Sequence, residues 1–229
     1  MSTSILESVQ KTYTNCSFYS DKGQVLYDDK LRLEFSTLFQ SPDFLRFEWK
    51  GKPFESYEVL EGNKHCIILS NRQKYFYAQD SGSSWKIDEA ETLQEILEYD
   101  SSKCFRVTEV IIPLLFAMAN FETALPLRKE LKCIQTGSLG YLLTDESKST
   151  TQQELLVNPQ FLISKYSEQL LISAKKKLEL AGKSVWAEEN SLLLKQDICR
   201  KKVIHFTDLK INDDEHLQLD QQDYLIPTL

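Results

Sequence analysis

The stretch LRLEFSTLFQSPDFLRFEW, residues 31–49, is the clearest pattern in the sequence and decides how its neighbours are interpreted. Apolar and polar side chains alternate along residues 31–39, and Leu38 is the one exception. After a turn at Ser41-Pro42-Asp43 the same alternation resumes over residues 45–49. A period of two with one polar face is typical of half-buried antiparallel strands. These residues therefore predict two neighbouring strands whose inner face is apolar and aromatic.

Short strands recur on both sides of this stretch, at intervals of roughly ten residues and separated by polar turns, which is the signature of an antiparallel meander. The right-handed twist of so many strands accumulates, so the sheet cannot stay flat. The sequence therefore predicts a curled antiparallel sheet. Its further strands are predicted at residues 17–27, 57–60, 66–69, 75–77, 131–136, 140–144, 154–156, 169–174, 185–188, 192–196, 201–209 and 224–226.

Three segments have helical instead of strand periodicity. Residues 3–13 predict an N-terminal helix, and residues 88–97 and 107–119 predict a helical insert at about 88–119. The segment 107–119 is apolar nearly all round, and a helix of that kind is buried on every side. We expect it to lie against the concave face of the sheet. The predicted fold class is therefore mainly β with a helical insert (α+β).

Composition and charge exclude several classes of function. The chain has 229 residues, of which 41% are hydrophobic, and its formal net charge is −7. This acidic balance argues against a nucleic-acid partner. The sequence has no apolar run of the ~18 residues that a membrane-spanning helix needs, and no secretory signal is visible in it. No linker rich in proline or glycine divides the chain, so we expect residues 1–229 to form one domain.

Metal and catalytic chemistry find little support in the sequence. Its five cysteines are widely separated, with no Cys-x-x-Cys and no histidine at ligand spacing, so we expect neither a metal nor a cofactor. Cys66 and His205 are a conceivable nucleophile and base, but any five cysteines and three histidines offer such combinations. The common motifs of hydrolases and nucleotide-binding loops are absent as well. We therefore interpret the protein as a non-enzyme.

Three patterns, in this order along the chain, carry a resemblance to a known family. The first is Ile5-Leu6-Glu7-Ser8-Val9, which leads into the strand at residues 17–27. The second, FQSPDFLRFEW at residues 39–49, looks like an Arg-Pro-x-x-Phe-Arg-Phe/Trp-Glu segment. The third, SVWAEENSLL at residues 184–193, is similar to a Leu-Trp-Ile-Asp hairpin, and the family-like ending TDLKIN follows it at residues 207–212. Together they resemble the LolA-like superfamily of lipoprotein carriers and sorting proteins.

The resemblance implies an incomplete barrel, a half-barrel closed by helices, whose cavity accepts acyl chains. It also implies a carrier that holds an acyl chain or the lipid moiety of a lipoprotein during transfer between membranes. Such a carrier is periplasmic if a signal peptide has been removed, and otherwise the chain is expected to be cytoplasmic. The family's arginine before the proline helps to latch the helical lid, and Ser41 replaces it here, so the latch is not carried over. Arg46 remains as a candidate polar anchor for a lid.

The predicted binding site is a concave apolar cavity between the sheet and the segment 107–119. Apolar stripes of this kind are equally expected of a dry core, and the sequence leaves both interpretations open. Our first hypothesis is non-enzymatic binding of a lipid or acylated ligand, and the alternative is a protein-binding sensor or regulatory module on the same fold, with a membrane-associated protein as a candidate partner. The candidate lining residues are Leu33, Phe35, Phe47, Trp49, Tyr57, Val59, Leu114, Leu115 and Met118.

Overall fold

The centre of the sheet is an antiparallel pair formed by β1 (Phe18–Tyr27) and β11 (Ile198–Ile211), which come from opposite ends of the chain. The computed structural model describes residues 2–52, 63–101, 103–117, 131–135, 138, 140–145, 151–172 and 198–212. Within these ranges the β1–β11 ladder joins two meanders into one continuous sheet. The chain therefore builds one half of the sheet outward from β1 and returns through the other half to β11.

Eleven strands form the described sheet, in the order β6-β5-β4-β3-β2-β1-β11-β10-β9-β8-β7, and every neighbouring pair is antiparallel. β6 and β7 are its two edges, so the sheet does not close into a barrel. The predicted fold class, a curled antiparallel sheet forming an incomplete barrel, is confirmed. Besides β1 and β11 the strands are β2 (Lys30–Gln40), β3 (Phe44–Gly51), β4 (Lys64–Asn71), β5 (Lys74–Asp80), β6 (Trp85–Ala90), β7 (Leu131–Gln135), β8 (Tyr141–Asp145), β9 (Thr151–Val157) and β10 (Ile163–Ile172).

Three helices cover the concave face of this sheet: α1 (Ser2–Thr14), α2 (Leu93–Ser101) and α3 (Thr108–Leu115). Their apolar side chains and the inward side chains of the strands belong to one core cluster. The prediction that the apolar segment beginning at residue 107 lies against the concave face is confirmed, because six of the eight residues of α3 are buried. The helix is shorter than predicted, since Ala117 takes a φ of 49° and residues 118–119 lie outside the described ones.

The start of the helical insert was predicted at residue 88, and this is wrong. Residues 88–90 belong to strand β6, which pairs with β5 over its whole length, and the helix begins at Leu93. The backbone amide of Glu95 donates a hydrogen bond of 3.2 Å to the hydroxyl of Thr92, which marks the first turn. The spacing Thr92-x-x-Glu95 is a helix-start signal that locates this boundary in the sequence. Strand pairing decides the conformation of the residues before it.

Most other predicted strands coincide with observed ones, but four lie outside the described residues. Residues 57–60, 185–188, 192–196 and 224–226 are in this group, and so is the third family-like pattern at 184–193. The predicted strand at 154–156 belongs to β9 and residues 169–172 of the strand predicted at 169–174 belong to β10, while residues 173–174 lie outside the described ones. The added residues of β9 and β10 are partly polar, and they extend the strands because cross-strand pairing stabilises them.

Gly23 makes room for the aromatic centre of the core. It pairs with Phe35 on β2 and with Phe206 on β11, and the Phe35 ring lies directly over its Cα. The Phe35 ring packs edge-on against the Phe206 ring, with 5.4 Å between the ring centroids. It also contacts the Phe47 ring in a tilted arrangement, with 5.9 Å between the centroids. A glycine at this position lets three aromatic rings meet across the seam between the two halves of the sheet.

We expect Gly23→Ala to lower the free energy of unfolding by about 3 kcal/mol, because overpacking a dense core costs at least 1–3 kcal/mol. A Cβ atom at this position would overlap the Phe35 ring and the carbonyl oxygen of His205. The matched control is Gly82→Ala, where a Cβ atom meets nothing within 4 Å and only the positive φ of 86° opposes the change. In that variant the free energy of unfolding should fall by about 1 kcal/mol. Urea denaturation of both variants measures the difference, and equal losses would contradict the packing described for Gly23.

Candidate functional site

Six of the nine predicted cavity residues are described, and all six belong to the core cluster. None of them is more than 5% exposed. Tyr57, Val59 and Met118 lie outside the described residues. The structure brings the six together as tightly packed core, and their role in lining a cavity stays a prediction. The six residues are Leu33, Phe35, Phe47, Trp49, Leu114 and Leu115.

Arg46, the candidate anchor for a lid, lies on the face of the sheet that is opposite to α3. Side chains alternate along β3, and its neighbours Leu45 and Phe47 point into the core under the helices. The Arg46 guanidinium lies 3.4 Å from the carboxylate of Glu48, which also contacts His65 at 2.6 Å. Arg46 is therefore part of a charged cluster on the outer face, and the structure does not bring it to the predicted site.

A buried carboxylate fixes α2 to the sheet. Nε1 of Trp49 donates a hydrogen bond of 2.9 Å to Oδ2 of Asp100, whose side chain is inaccessible to solvent. Burial raises the pKa of Asp100 to about 6, because the cost of desolvating the charged form exceeds the stabilisation by Trp49 and by the charge of Lys103. The amides of Lys103 and Cys104 donate to the carbonyl oxygen of Asp100. Asp100 therefore also begins the turn at residues 103–107, which we call the α2–α3 turn.

A second buried carboxylate, Asp21, lies near Tyr13 of α1. The hydroxyl of Tyr19 donates to Asp21 at 2.6 Å, and the amide of Thr37 donates to the same carboxylate at 2.9 Å. The ring of Tyr13, on α1, lies 5.4 Å from the ring of Tyr19, and its hydroxyl accepts a hydrogen bond of 3.0 Å from the amide of Ile163. Burial raises the pKa of Asp21 to about 6 as well. Tyr13 therefore connects α1 with β1 and β10, and Asp21 links β1 to β2.

An apolar pocket of about 370 Å³, which we call the end pocket, opens beside the α2–α3 turn. It lies at the end of the concave face where β1 and β10 end and β9 and β11 begin. Glu168 and Tyr27 both pair with Lys202 in the sheet register, so three adjacent strands place these side chains in one row. Each sheet residue points to the same face as the core. The pocket is lined by Tyr27, Phe105, Arg106, Thr151, Glu168, Leu170, Arg200 and Lys202.

The roof of the end pocket is held in an unusual backbone conformation. Phe105 and Arg106 have φ values of 57° and 63°, in the left-handed region. This conformation costs about 1–2 kcal/mol for each residue that is not glycine. It places the ring of Phe105 5.8 Å from that of Tyr27, while Arg106 is paired with Glu109. The turn therefore presents one aromatic side chain to the core and one cation to the rim of the pocket.

An ion pair lies in the wall of the end pocket. Nζ of Lys202 is 2.8 Å from the carboxylate of Glu168, and only 10% of the Lys202 side chain is exposed. Its ammonium also lies 5.5 Å from the centre of the Tyr166 ring. Arg200, nearer the rim and more exposed, is paired with Asp28 in the β1–β2 turn. The pocket therefore combines an apolar interior with charged groups along one side.

The end pocket was not predicted from the sequence. Lys202 lies in the run KKVIHF, residues 201–206, where two apolar residues follow two lysines and obscure the alternation. Glu168 and Leu170 lie in a strand that was predicted only from residue 169. The one signal that could have located the site is the double lysine itself, since one of two consecutive residues in a strand must face inward.

A larger depression, of about 900 Å³, lies where β2, β3, β4 and β5 meet the same end of the sheet. Its lining is about half polar and includes the charged residues Arg32, Lys50, Lys52 and Asp80. Ligand sites for apolar molecules are lined mainly by apolar side chains, with only a few polar groups. This depression therefore suits an acyl chain less well than the end pocket does.

Cys66 and His205 are not brought together by the fold. They lie on β4 and β11, with β3, β2 and β1 between them in the sheet. Burial raises the pKa of the Cys66 thiol to about 12, which keeps it in the unreactive protonated form. Among the residues that the structure describes, no group of three or more histidine, cysteine, aspartate or glutamate side chains is arranged to hold a metal ion. Nor is any helix in the described ranges long and apolar enough to span a membrane.

Comparison with known proteins gives matches only at the level of structure. No protein-family model matches the chain, and no curated protein matches it significantly. A solved structure of a LolA superfamily protein from Nitrosomonas europaea is similar to it, with 12% sequence identity and a TM-score of 0.34, over 98% of this chain and 97% of that one. A match at this identity and TM-score does not establish a family. The function proposed below is therefore argued from the residues of this chain.

The buried state of Asp100 predicts a specific dependence of stability on pH. Its pKa is 3.8 in the reference state and about 6 in the folded protein, so between these values the folded state binds the proton and the unfolded state releases it. The free energy of unfolding should therefore fall as pH rises from about 4 to about 6, by up to ~3 kcal/mol for this one group. Asp100→Asn, which keeps an acceptor for Trp49, should remove this contribution.

Urea denaturation at pH 4.5 and 7.5 measures the effect. As pH rises, the free energy of unfolding of the unmodified protein should fall relative to that of Asp100→Asn. Asp208→Asn serves as the control, because the Asp208 side chain is 64% exposed and contacts only the exposed Lys22. Parallel pH profiles for the unmodified protein and Asp100→Asn would contradict the assignment of a buried, protonatable carboxyl group at this position.

Proposed function

We propose that the protein binds a lipid or an acylated ligand without altering it chemically, as a carrier or chaperone. The observation that carries this proposal is the end pocket, an apolar cavity between the concave face of the sheet and the α2–α3 turn. Tyr27, Phe105 and Leu170 supply its apolar surface, and the site is continuous with the hydrophobic core. Burying an acyl chain there would be driven by the removal of apolar surface from water.

The volume of the end pocket limits what can be bound. About 370 Å³ is near the lower end of the 300–1,000 Å³ typical of small-molecule sites. This size accommodates one acyl chain and not the several chains of a complete lipoprotein anchor. A longer or branched ligand would have to enlarge the site by displacing α3, which would open the core around Leu114 and Leu115.

The partners in this proposal are an acyl chain or the lipid moiety of a lipoprotein, delivered or received by a membrane-associated protein. A periplasmic location, as the family resemblance implies, belongs to the same proposal, and so does the organisation of residues 1–229 as one domain. We propose no catalytic step, since the described cysteines and histidines form no nucleophile–base pair.

The alternative, a protein-binding module, would use an exposed edge of the sheet to accept a strand from another protein. At the described edge strand β6, Lys86, Asp88 and Glu89 place charges along most of its length. Charged residues of this kind oppose strand addition at a sheet edge. The β6 edge is therefore poorly suited to accept a strand, whereas β7, the other described edge, has Lys132 as its one charged residue.

Leu170→Glu should reduce the binding of a fluorescent fatty-acid probe at least tenfold, about 1.4 kcal/mol, because it places a carboxylate against the bound chain. The matched control is Ile87→Glu, which introduces the same charge at a side chain on β6 that is 38% exposed and outside the pocket. That variant should bind as the unmodified protein does. Circular dichroism melts establish that both variants fold.

Native mass spectrometry of the gently purified protein provides an independent test. We expect a co-purifying adduct with the mass of a single-chain lipid, reduced in Leu170→Glu and retained in Ile87→Glu. If no adduct is found and the fluorescent probe does not bind the unmodified protein, the proposed function is wrong. Equal loss of binding in both variants would locate the ligand elsewhere.

A further inference from the structure

The charges around the end pocket do not follow the charge of the whole protein. Its lining contains three cations, Arg106, Arg200 and Lys202, and one anion, Glu168, whereas the whole chain has a formal net charge of −7. The acids that pair with the two arginines, Glu109 and Asp28, are not among the lining residues. The lining therefore presents three cations and one anion to a ligand, although each cation is already paired with an acid.

The arginines at this rim keep hydrogen-bond donors for a ligand. A guanidinium has five N–H donors. Arg106 uses Nε and Nη2 for Glu109, and Arg200 uses Nη1 for Asp28. About half of each side chain is exposed, 51% for Arg106 and 57% for Arg200. The other guanidinium nitrogens are thus able to bind a second anion without breaking the existing pairs.

Lys202 provides a third and more deeply placed donor. A buried ion pair rarely adds net stability, because desolvation of both charges offsets their attraction. A lysine that is nine-tenths buried in the wall of an apolar pocket is therefore better explained by what it binds than by folding. Its ammonium has three N–H donors, and Glu168 accepts only some of them.

We propose that the end pocket selects a single-chain amphiphile with an anionic head, a carboxylate or a phosphate monoester. Arg200, Arg106 and Lys202 bind the head, and the chain lies against Tyr27, Phe105 and Leu170. This inference rests on the proposed function, since it names the class of ligand for the same pocket. The one-chain volume and the three cations together define that class.

The test compares four ligands that share one ten-carbon chain: decanoate, decyl phosphate, decanol and decyltrimethylammonium. Displacement of a fluorescent probe gives the affinity of the full-length protein for each ligand, at low and at high salt. We expect the two anions to bind at least tenfold more tightly than decanol, and decyltrimethylammonium to bind most weakly. The net negative charge of the whole protein would by itself favour the opposite order, because it attracts a cation. The preference should shrink in high salt, because salt screens exposed charges. The ratio of decanoate to decyl phosphate affinity distinguishes a fatty acid from a phosphate-headed lipid as the source of the anion.

Arg200→Gln should lower the affinity for decanoate and decyl phosphate about tenfold and leave that for decanol unchanged. Its control is Arg72→Gln, an exposed arginine in the β4–β5 turn at the opposite end of the sheet, which should change neither. Arg106→Gln is the second variant if Arg200→Gln melts at a lower temperature. Equal affinities for decanol and the anions, unaffected by either variant, would overturn the anionic head while leaving apolar binding intact. Failure of all four ligands to bind would instead overturn the proposed function.

Discussion

The ladder between β1 and β11 is the interaction on which the rest of the structure depends. It joins strands that are more than 170 residues apart along the chain, and without it the two meanders would have no common face. Closing so long a loop costs conformational entropy that local contacts cannot offset. The compensating contacts lie on the seam itself, where Gly23 allows the ring of Phe35 to reach Phe206. The concave face is continuous because of this packing, and the helices need a continuous face.

Buried hydrogen bonds then help to determine where α1 and α2 lie on that face. Asp21 is hydrogen-bonded beneath α1 and Asp100 anchors the end of α2 to Trp49. A hydrophobic contact would tolerate sliding, whereas a buried hydrogen bond is satisfied in only one position. The position of α2 in turn determines where the α2–α3 turn places Phe105. The position of the end pocket therefore depends on the hydrogen bond between Trp49 and Asp100, which lies inside the core.

The concave face consequently has two regions with different properties. Its centre is filled by its own side chains, so a ligand there would compete with close packing. Its end, between the α2–α3 turn and the start of β11, retains an open apolar volume with cations along one side. This open volume lies where strands end and the helical cover turns back, since fewer side chains are available there to fill the space.

The alternating stretch at residues 31–49 by itself determined the strands β2 and β3 and the buried face of each from Leu33 onward, because a period of two admits one burial pattern. Leu31 is the exception: it is 54% exposed, beside the register shift between Val25 and Leu26. The apolar segment after residue 107 determined that a helix is buried against the sheet. Sequence patterns do not show which strands pair when they are far apart along the chain, so the pairing of β1 with β11 could not be predicted. They also placed the start of the insert in what is strand β6, since pairing with β5 overrides local periodicity.

For the site, the sequence identified side chains that are buried together, and the tertiary structure placed the described ones in the core cluster, while their role in lining a cavity stays a prediction. Leu33, Phe47 and Trp49 are apolar on an inward face whether or not a space remains beside them, and no residue pattern measures a void. Arg46 occupies one of the polar positions of the alternating pattern, so its side chain lies on the outer face of β3. Lys202 meets Glu168 and Tyr27 only through the registers of β10 and β1 with β11, which depend on contacts between distant parts of the chain. Periodicity is a local property and a pocket is not, which is why the sequence predicted the fold in outline and did not point to the end pocket.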